Sequence, residues 1–178
     1  NDAWKRFTFI EGDIRDLATC RDVMPETDHV LHQAAVGPMP SLSSDPLAIH
    51  DTNVNGFLNV LSAAREAKVS SFTYATTSSF YADHSVPPRV EEHIGGTLSP
   101  WTVSKRVNDL YAEVFAHYYG FPSIGLRYFN VFGPSQDPAS PHAGEIPGWL
   151  ESLREGESAV TYGDGGSSRD FCYVANVV

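Results

Sequence analysis

"SPWTVSKRVNDLYAEVFAHYYG", residues 99–120, is the stretch from which the fold is read. Val107, Leu110, Tyr111, Val114, Phe115 and Tyr118 recur at i, i+3, i+4 and i+7, and Gly120 supplies a stop. The spacing predicts a helix over 100–119 whose apolar stripe centres on Val107, Val114 and Tyr118. At about 100° per residue, Trp101, Lys105, Asn108 and Ala112 lie on a flank away from that stripe. On this pattern alone Lys105 reads as a solvated lysine outside the core.

Outward from this helix, apolar runs alternate with helical patterns. "RFTFIEGD" (6–13), "HVLHQAA" (29–35), "SSFTYATTSS" (70–79), "SIGLRYFNVFG" (123–133) and "SAVTYGDG" (158–165) read as strands. "LATCRDVM" (17–24) and "IPGWLESLREG" (146–156) read as short helices. In residues 45–69, Leu47, Val54, Phe57, Leu58, Leu61 and Ala64 keep helical spacing. Alternation of this kind implies an α/β fold, with a parallel sheet covered by helices on both faces. Ligands of such sheets bind beyond the carboxyl ends of the strands. Those ends read "GDIRD", "HQAAVG", "TTSSFY" and "RYFNVFG", rich in small and hydroxyl residues.

Composition narrows the function. The 178 residues suffice for one core, and 42% of them are hydrophobic. A net charge of -10 without a Lys/Arg run disfavours nucleic acid and anionic membrane as partners. No apolar stretch is long enough for a bilayer span, and the first residues carry no signal-peptide core. Cys20 and Cys172 suggest no disulfide framework, so a cytoplasmic setting is expected. The seven histidines show no metal-ligand spacing, and no metal is expected.

In order along the chain, "GDIRD", "VLHQAA", "TNVNGFLNVL", "SPWTVSK", "GLRYFNVFG" and "GDGGSSRDFCYV" resemble the motifs of the extended short-chain dehydrogenase/reductase family, the NAD-dependent sugar-nucleotide epimerases and dehydratases. The likeness is greatest to UDP-N-acetylglucosamine 4-epimerases, and it covers almost the whole chain. It implies a Rossmann-like, doubly wound parallel sheet in 1–133 and the beginning of a substrate-binding region in 134–178. The family's glycine-rich phosphate loop lies upstream of "GDIRD", so the chain is expected to be an internal fragment, inactive by itself. The implied cofactor is NAD, and the implied substrate is a UDP-sugar of the GlcNAc/GalNAc or glucose type. A homodimer through residues 46–67 and 100–119 is also implied, with Phe57, Leu61, Val114 and Phe115 at the contact. Such an enzyme belongs to polysaccharide biosynthesis.

Residue roles follow from the same resemblance. Asp13 and Ile14 resemble the pair at the adenine. Ala34, Ala35 and Gly37 resemble the small residues that admit the dinucleotide, and Asn53 the asparagine beside it. Thr77 and Ser78 match hydroxyls near the sugar C4. Lys105 matches the lysine that holds the nicotinamide ribose, with Tyr128 and Phe129 beside the nicotinamide. Asn130 and Arg169 match the phosphate-binding pair of the nucleotide sugar; a guanidinium fork suits a diphosphate. Without the resemblance, each has a plainer reading. Asp13 is a turn residue, Asn53 an internal helix polar group, Thr77 and Ser78 strand-end caps, and Arg169 a partner of Asp164 or Asp170.

One position departs from the family pattern. The catalytic tyrosine, four residues before the lysine, is Trp101. A phenol begins near pKa 10 and is lowered by a neighbouring lysine and the cofactor's charge. An indole N–H only donates and does not ionise in this range. Tyr111, placed on the core stripe, and Tyr81, with no lysine four residues on, offer no replacement. Three readings follow: a 4-epimerase with a damaged acid/base, a catalytically dead relative that binds NAD or UDP-sugar, or a gene piece. A dehydratase or decarboxylase needs an acidic residue near Ser78 or Ser79, and "TTSSFY" has none.

Overall fold

The computed structural model describes residues 2–37, 45–81, 89–96, 99–140, 143–161, 163–166 and 168–178. Three parallel strands form the main sheet: β1 (His29–His32), β2 (Ser71–Ala75) and β3 (Ile124–Leu126), in the order β1-β2-β3. Two further strands, β4 (Val131–Phe132) and β5 (Cys172–Tyr173), pair in parallel as a separate small sheet. The helices are α1 (Leu17–Asp22), α2 (Pro46–His50), α3 (Phe57–Ala67), α4 (Pro100–Tyr119) and α5 (Glu145–Arg154). This is the expected α/β, Rossmann-like architecture.

Local chemistry sets the helix ends. Asp16 caps α1 by accepting from the Ala18 N–H, and Asp45 caps α2 ahead of Pro46. Ser99 caps α4 through the Thr102 N–H at 3.1 Å, with Pro100 at the first helical position. Gly120 closes α4 in the left-handed region, φ 64°. Between α2 and α3, residues Asp51–Gly56 form a π turn, so the helix read over 45–69 is continuous but locally widened.

The core lies between one face of the sheet and the helices. Phe57, Leu61 and Ala64 of α3 pack with Phe72 and Tyr74 of β2, Phe115 of α4 and Phe121. The rings of Phe57, Phe72 and Tyr74 meet at centroid distances of 5.1 to 6.3 Å. Val30 and His32 point to the same face, whereas His29, Leu31 and Ser71 face outward and are exposed. Among the described residues, then, helices bury one face of the sheet.

Several expectations change. Residues 7–13 of "RFTFIEGD" form no strand; Phe7, Phe9 and Ile10 are exposed, with no neighbouring strand among the described residues to pair with. The same holds for residues 158–161 and 163–165 of "SAVTYGDG". The "SIGLRYFNVFG" run is two strands, broken where Asn130 takes φ 32°. On α4 the buried face is not the apolar stripe. Thr102, Ser104, Lys105, Asn108, Ala112 and Phe115 are buried, whereas Val103, Leu110, Tyr111, Val114 and Tyr118 are exposed. On this polar flank Ser104 bonds with Asn53 and Lys105 with the Ala75 carbonyl, whereas the buried Asn108 Oδ1 has no partner among the described residues. Phe57, Leu61 and Phe115 sit inside the subunit and are not available for the expected dimer contact. No helix among the described residues is long and apolar enough to cross a membrane.

Candidate active site

The carboxyl ends of β1 and β2 and the first two turns of α4 converge. Asn53, carried inward by the π turn, accepts from the Val36 N–H at 2.8 Å and donates to the Val36 carbonyl at 3.1 Å. Its Nδ2 also donates to Ser104 Oγ at 3.1 Å. One side chain thus ties the loop after β1 to α4, which holds the exposed Ala34 and Ala35 in place. Asn53 is the internal polar group of the plainer reading, and its partners are the loop to which the resemblance assigns the cofactor.

Lys105 is 3% exposed and donates from Nζ to the Ala75 carbonyl at 3.0 Å. The expectation of a solvated lysine is therefore wrong: the ammonium finds a backbone acceptor at the end of β2. Burial pulls its pKa down to about 8, against the opposing charge of Asp109. Thr77, two residues beyond Ala75, is buried, and its Oγ1 accepts from the Ser79 N–H at 3.0 Å. This caps the 3-10 turn Ser78–Tyr81 and leaves the Thr77 O–H without an acceptor among the described residues. Trp101 lies one helical turn before Lys105 and is partly buried; its carbonyl accepts from Ser104 Oγ at 2.7 Å.

His32 completes the underside of this cluster. Its ring packs on Phe57 and Phe72 at 5.5 and 6.2 Å. Burial, then the Lys105 charge, lower its pKa to about 4. Across the strand ends, Gln33 Nε2 donates to Tyr128 OH at 3.2 Å, which joins the loop after β1 to that after β3.

Asp13 and Ile14 share a groove of about 360 Å³ with Ala34, His32, Gln33 and Val60. Asp13 takes the Arg15 N–H at 2.9 Å and the Arg15 guanidinium at 2.6 Å, which lowers its pKa to about 2. The Ile14 carbonyl accepts from Asn59 Nδ2 at 3.0 Å. Farther along, Asn130 and Arg169 line one cavity of about 380 Å³ with Gly144 and Glu145 at the start of α5. Asn130 Nδ2 donates to the Asp170 carbonyl at 3.0 Å. Arg169 is exposed and, among the described residues, forms no ion pair with Asp164 or Asp170. Phe129 stacks on Tyr81 at 5.8 Å.

The sequence-chosen residues thus form three groups: Asn53, Lys105, Thr77 and the β1 loop; Asp13, Ile14 and Ala34; Asn130 and Arg169. Gln33, Ser104, Asp109 and Arg127 were not singled out, although Ser104 and Asp109 flank Lys105 on α4.

The NAD dependent epimerase/dehydratase family model matches residues 1–178. The chain belongs to this family. Its structure superposes on the UDP-N-acetylglucosamine 4-epimerase of Methanobrevibacter ruminantium, solved with UDP-N-acetylmuramic acid, with TM-score 0.91 and 33% identity over 99% of this chain and 57% of that one. The UDP-glucose 4-epimerase of Thermotoga maritima, solved with UDP-glucose, gives 0.88 and 30% over 97% and 57%. A dTDP-glucose 4,6-dehydratase of Streptomyces venezuelae, solved with NAD, gives 0.82 and 27% over 99% and 53%. The chain spans about half the length of the curated relatives it matches, 53% for the UDP-glucuronate 4-epimerase of Thermodesulfobacterium geofontis. NAD is the cofactor of the epimerase/dehydratase family.

Proposed function

We propose that this chain is the central portion of a nucleotide-sugar 4-epimerase in which Trp101 impairs proton transfer. The observation that carries the reading is Lys105, buried at the end of β2 with Thr77 two residues beyond its acceptor. A cationic group and a free hydroxyl donor at one strand end suit a sugar alcohol that loses its C4 proton.

The residues present fit NAD. Small side chains at the end of β1 leave the backbone open, and Asn53 fixes that backbone from behind. Asp13 and Ile14 would meet the adenine; Ala34, Ala35 and Gly37 the dinucleotide backbone; Asn53, Lys105, Tyr128 and Phe129 the ribose and nicotinamide. NAD supplies reversible hydride acceptance at the sugar C4. Lys105 holds a ribose hydroxyl and sets a positive field, Thr77 and Ser78 orient the C4 oxygen, and Asn130 and Arg169 bind the diphosphate. Trp101 stands where the proton must be taken, and its N–H has no basic form in this pH range.

The substrate we favour is UDP-N-acetylglucosamine, supported by the likeness to the methanogen enzyme. A dehydratase is less well supported, because Ser78 and Ser79 offer no carboxylic acid. We assign 1–133 to the NAD-binding part and 134–178 to the start of the substrate part, in a cytoplasmic homodimer of polysaccharide biosynthesis.

Two measurements test this. The 178-residue chain contains no G-x-x-G-x-x-G, so calorimetry should show NAD affinity weaker than micromolar. In the complete gene product, Trp101→Tyr should raise UDP-sugar interconversion by about 10² to 10⁴-fold at equal NAD saturation. Equal turnover in both forms would mean that another residue is the base.

A further inference from the structure

Tyr74 and Ala75 are neighbours on β2, and each is tied to α4. The Ala75 carbonyl accepts from Lys105, and Tyr74 OH donates to Asp109 Oδ1 at 3.0 Å. Lys105 and Asp109 are four residues apart on one helix, so their Cβ atoms lie roughly 5–6 Å apart on a common face. The Asp109 side chain is only 14% exposed.

We propose that Asp109 is a positioning residue of the candidate site, the buried counter-charge that favours the ammonium form of Lys105 at the end of β2. This rests on the reading of Lys105 as the lysine of that site. The carboxylate is held from two further elements. Arg127, after β3, places Nη2 3.8 Å from Asp109 Oδ2. Its Nη1 donates to Tyr81 OH at 2.7 Å and to the Glu91 carbonyl at 2.9 Å. The guanidinium also lies over the Phe80 and Tyr81 rings, at 5.4 and 5.3 Å. Arg127 thereby joins α4 to the 3-10 turn that follows Thr77.

The charges around the pair are few. Lys105 feels His32 of β1, held neutral by burial, and Asp109 of its own helix. Asp109 feels Tyr74 of β2, Arg127 after β3 and Arg106 on α4. Burial raises the Asp109 carboxyl, while Tyr74 and the arginines favour its ionised form. Asp109 is the one anion acting on Lys105 among these groups. Without it, only the Ala75 carbonyl would oppose burial at the ammonium, and the neutral amine would gain.

The chain has three lysines, Lys5, Lys68 and Lys105, so a ¹³C-lysine NMR titration of the 178-residue protein resolves each, with Lys105→Arg for assignment. Asp109→Asn keeps an acceptor for Tyr74 OH and removes the charge. The Lys105 midpoint should then fall by at least about 0.3 pH unit, with Lys5 and Lys68 unmoved. Asp109→Glu, which restores a carboxylate, should return it toward the parent value. A folded Asp109→Asn protein with an unmoved Lys105 midpoint overturns the proposal, because a purely structural aspartate changes stability and not this titration. If Asp109→Asn does not fold, the parent protein decides. The Lys105 ¹³Cε signal must show a second inflection at the pH where the Asp109 carboxyl titrates, and its absence overturns the proposal. Neither readout needs turnover, so failure of the epimerase reading is a separate result.

Discussion

Asn53 and Val36 close a two-hydrogen-bond ring: the side-chain amide accepts from the Val36 N–H at 2.8 Å and returns a hydrogen bond to its carbonyl at 3.1 Å. A side-chain amide thus pairs with the loop peptide much as a neighbouring strand would. The third bond, to Ser104, fastens the same amide to α4. Asn53 is 1% exposed, so its own amide makes these bonds away from bulk water.

Asn53→Ala should therefore cost about 2–3 kcal/mol, since it takes the side-chain partner from the part-buried Val36 N–H and carbonyl and removes one of the two hydrogen bonds of Ser104 Oγ. Urea denaturation should show a lower midpoint at unchanged slope. Asn53→Asp should cost at least as much, because a carboxylate cannot donate to the Val36 carbonyl or to Ser104 in the present arrangement. A loss within experimental error for both would show that the loop holds itself.

His32 makes stability depend on pH in a defined window. In the folded chain burial lowers its pKa from 6.5 to about 4. The unfolded chain binds a proton on this ring below about pH 6.5, where the folded chain does not. The stability of the neutral ring is complete above that pH and is lost as pH falls toward 4. The full loss is about 3 kcal/mol. His32→Leu removes the titration, so its thermal midpoint should decline less between pH 6.5 and 4 than that of the parent. A parallel decline in both would place the acid sensitivity elsewhere.

The pattern of residues 99–120 gave α4 correctly at both ends, because a helix of this length with a glycine stop is local information. Its orientation was not local. Val103, Leu110, Val114 and Tyr118 are more apolar than Ser104, Lys105 and Asn108, yet they are outside. Hydrophobic periodicity does not record that Ser104 has Asn53 waiting and Lys105 the Ala75 carbonyl. The runs at 6–13 and 158–165 look like strands because their residues favour extended backbone. A strand also needs a partner edge, which a stretch of eight residues cannot declare. The strand-end residues of the candidate site were chosen because their motifs fall in a familiar order. The Tyr74–Asp109–Arg127 contacts join three elements, so no local pattern announces them.

Gly125 tests how tightly that cluster is packed. A Cβ there would stand 2.6 Å from both Cζ and OH of Tyr74. The Tyr74 ring is 4% exposed and bonded to Asp109, so it has no free direction in which to retreat. Gly125→Ala should cost about 1–3 kcal/mol by overpacking. The combination with Tyr74→Phe should be less destabilising than the sum of the two, since the hydroxyl is one of the two atoms struck. Additive losses in a double-mutant cycle would show that the strand, and not the ring, moves.

The exposed stripe on α4 is the last feature to yield a measurable outcome. Val103, Leu110, Val114 and Tyr118 follow one another at seven and four residues along one helix face, and their exposures run from 45% to 78%. Leu47 of α2, which packs beside α4, is 80% exposed. A homodimer that buries these residues about a two-fold axis places the same stripe against itself. It differs from the contact expected from sequence, since of Phe57, Leu61, Val114 and Phe115 only Val114 reaches the surface. A charge at its centre faces its own copy across the axis. Val114→Asp should weaken dimerisation at least tenfold, read by sedimentation equilibrium over a concentration series. The substitution removes little from the monomer core, so the monomer's denaturation midpoint should shift by no more than about 0.5 kcal/mol in stability. A parent chain that stays monomeric at the highest concentration, or a Val114→Asp chain that dimerises as well as the parent, would exclude this face as the contact.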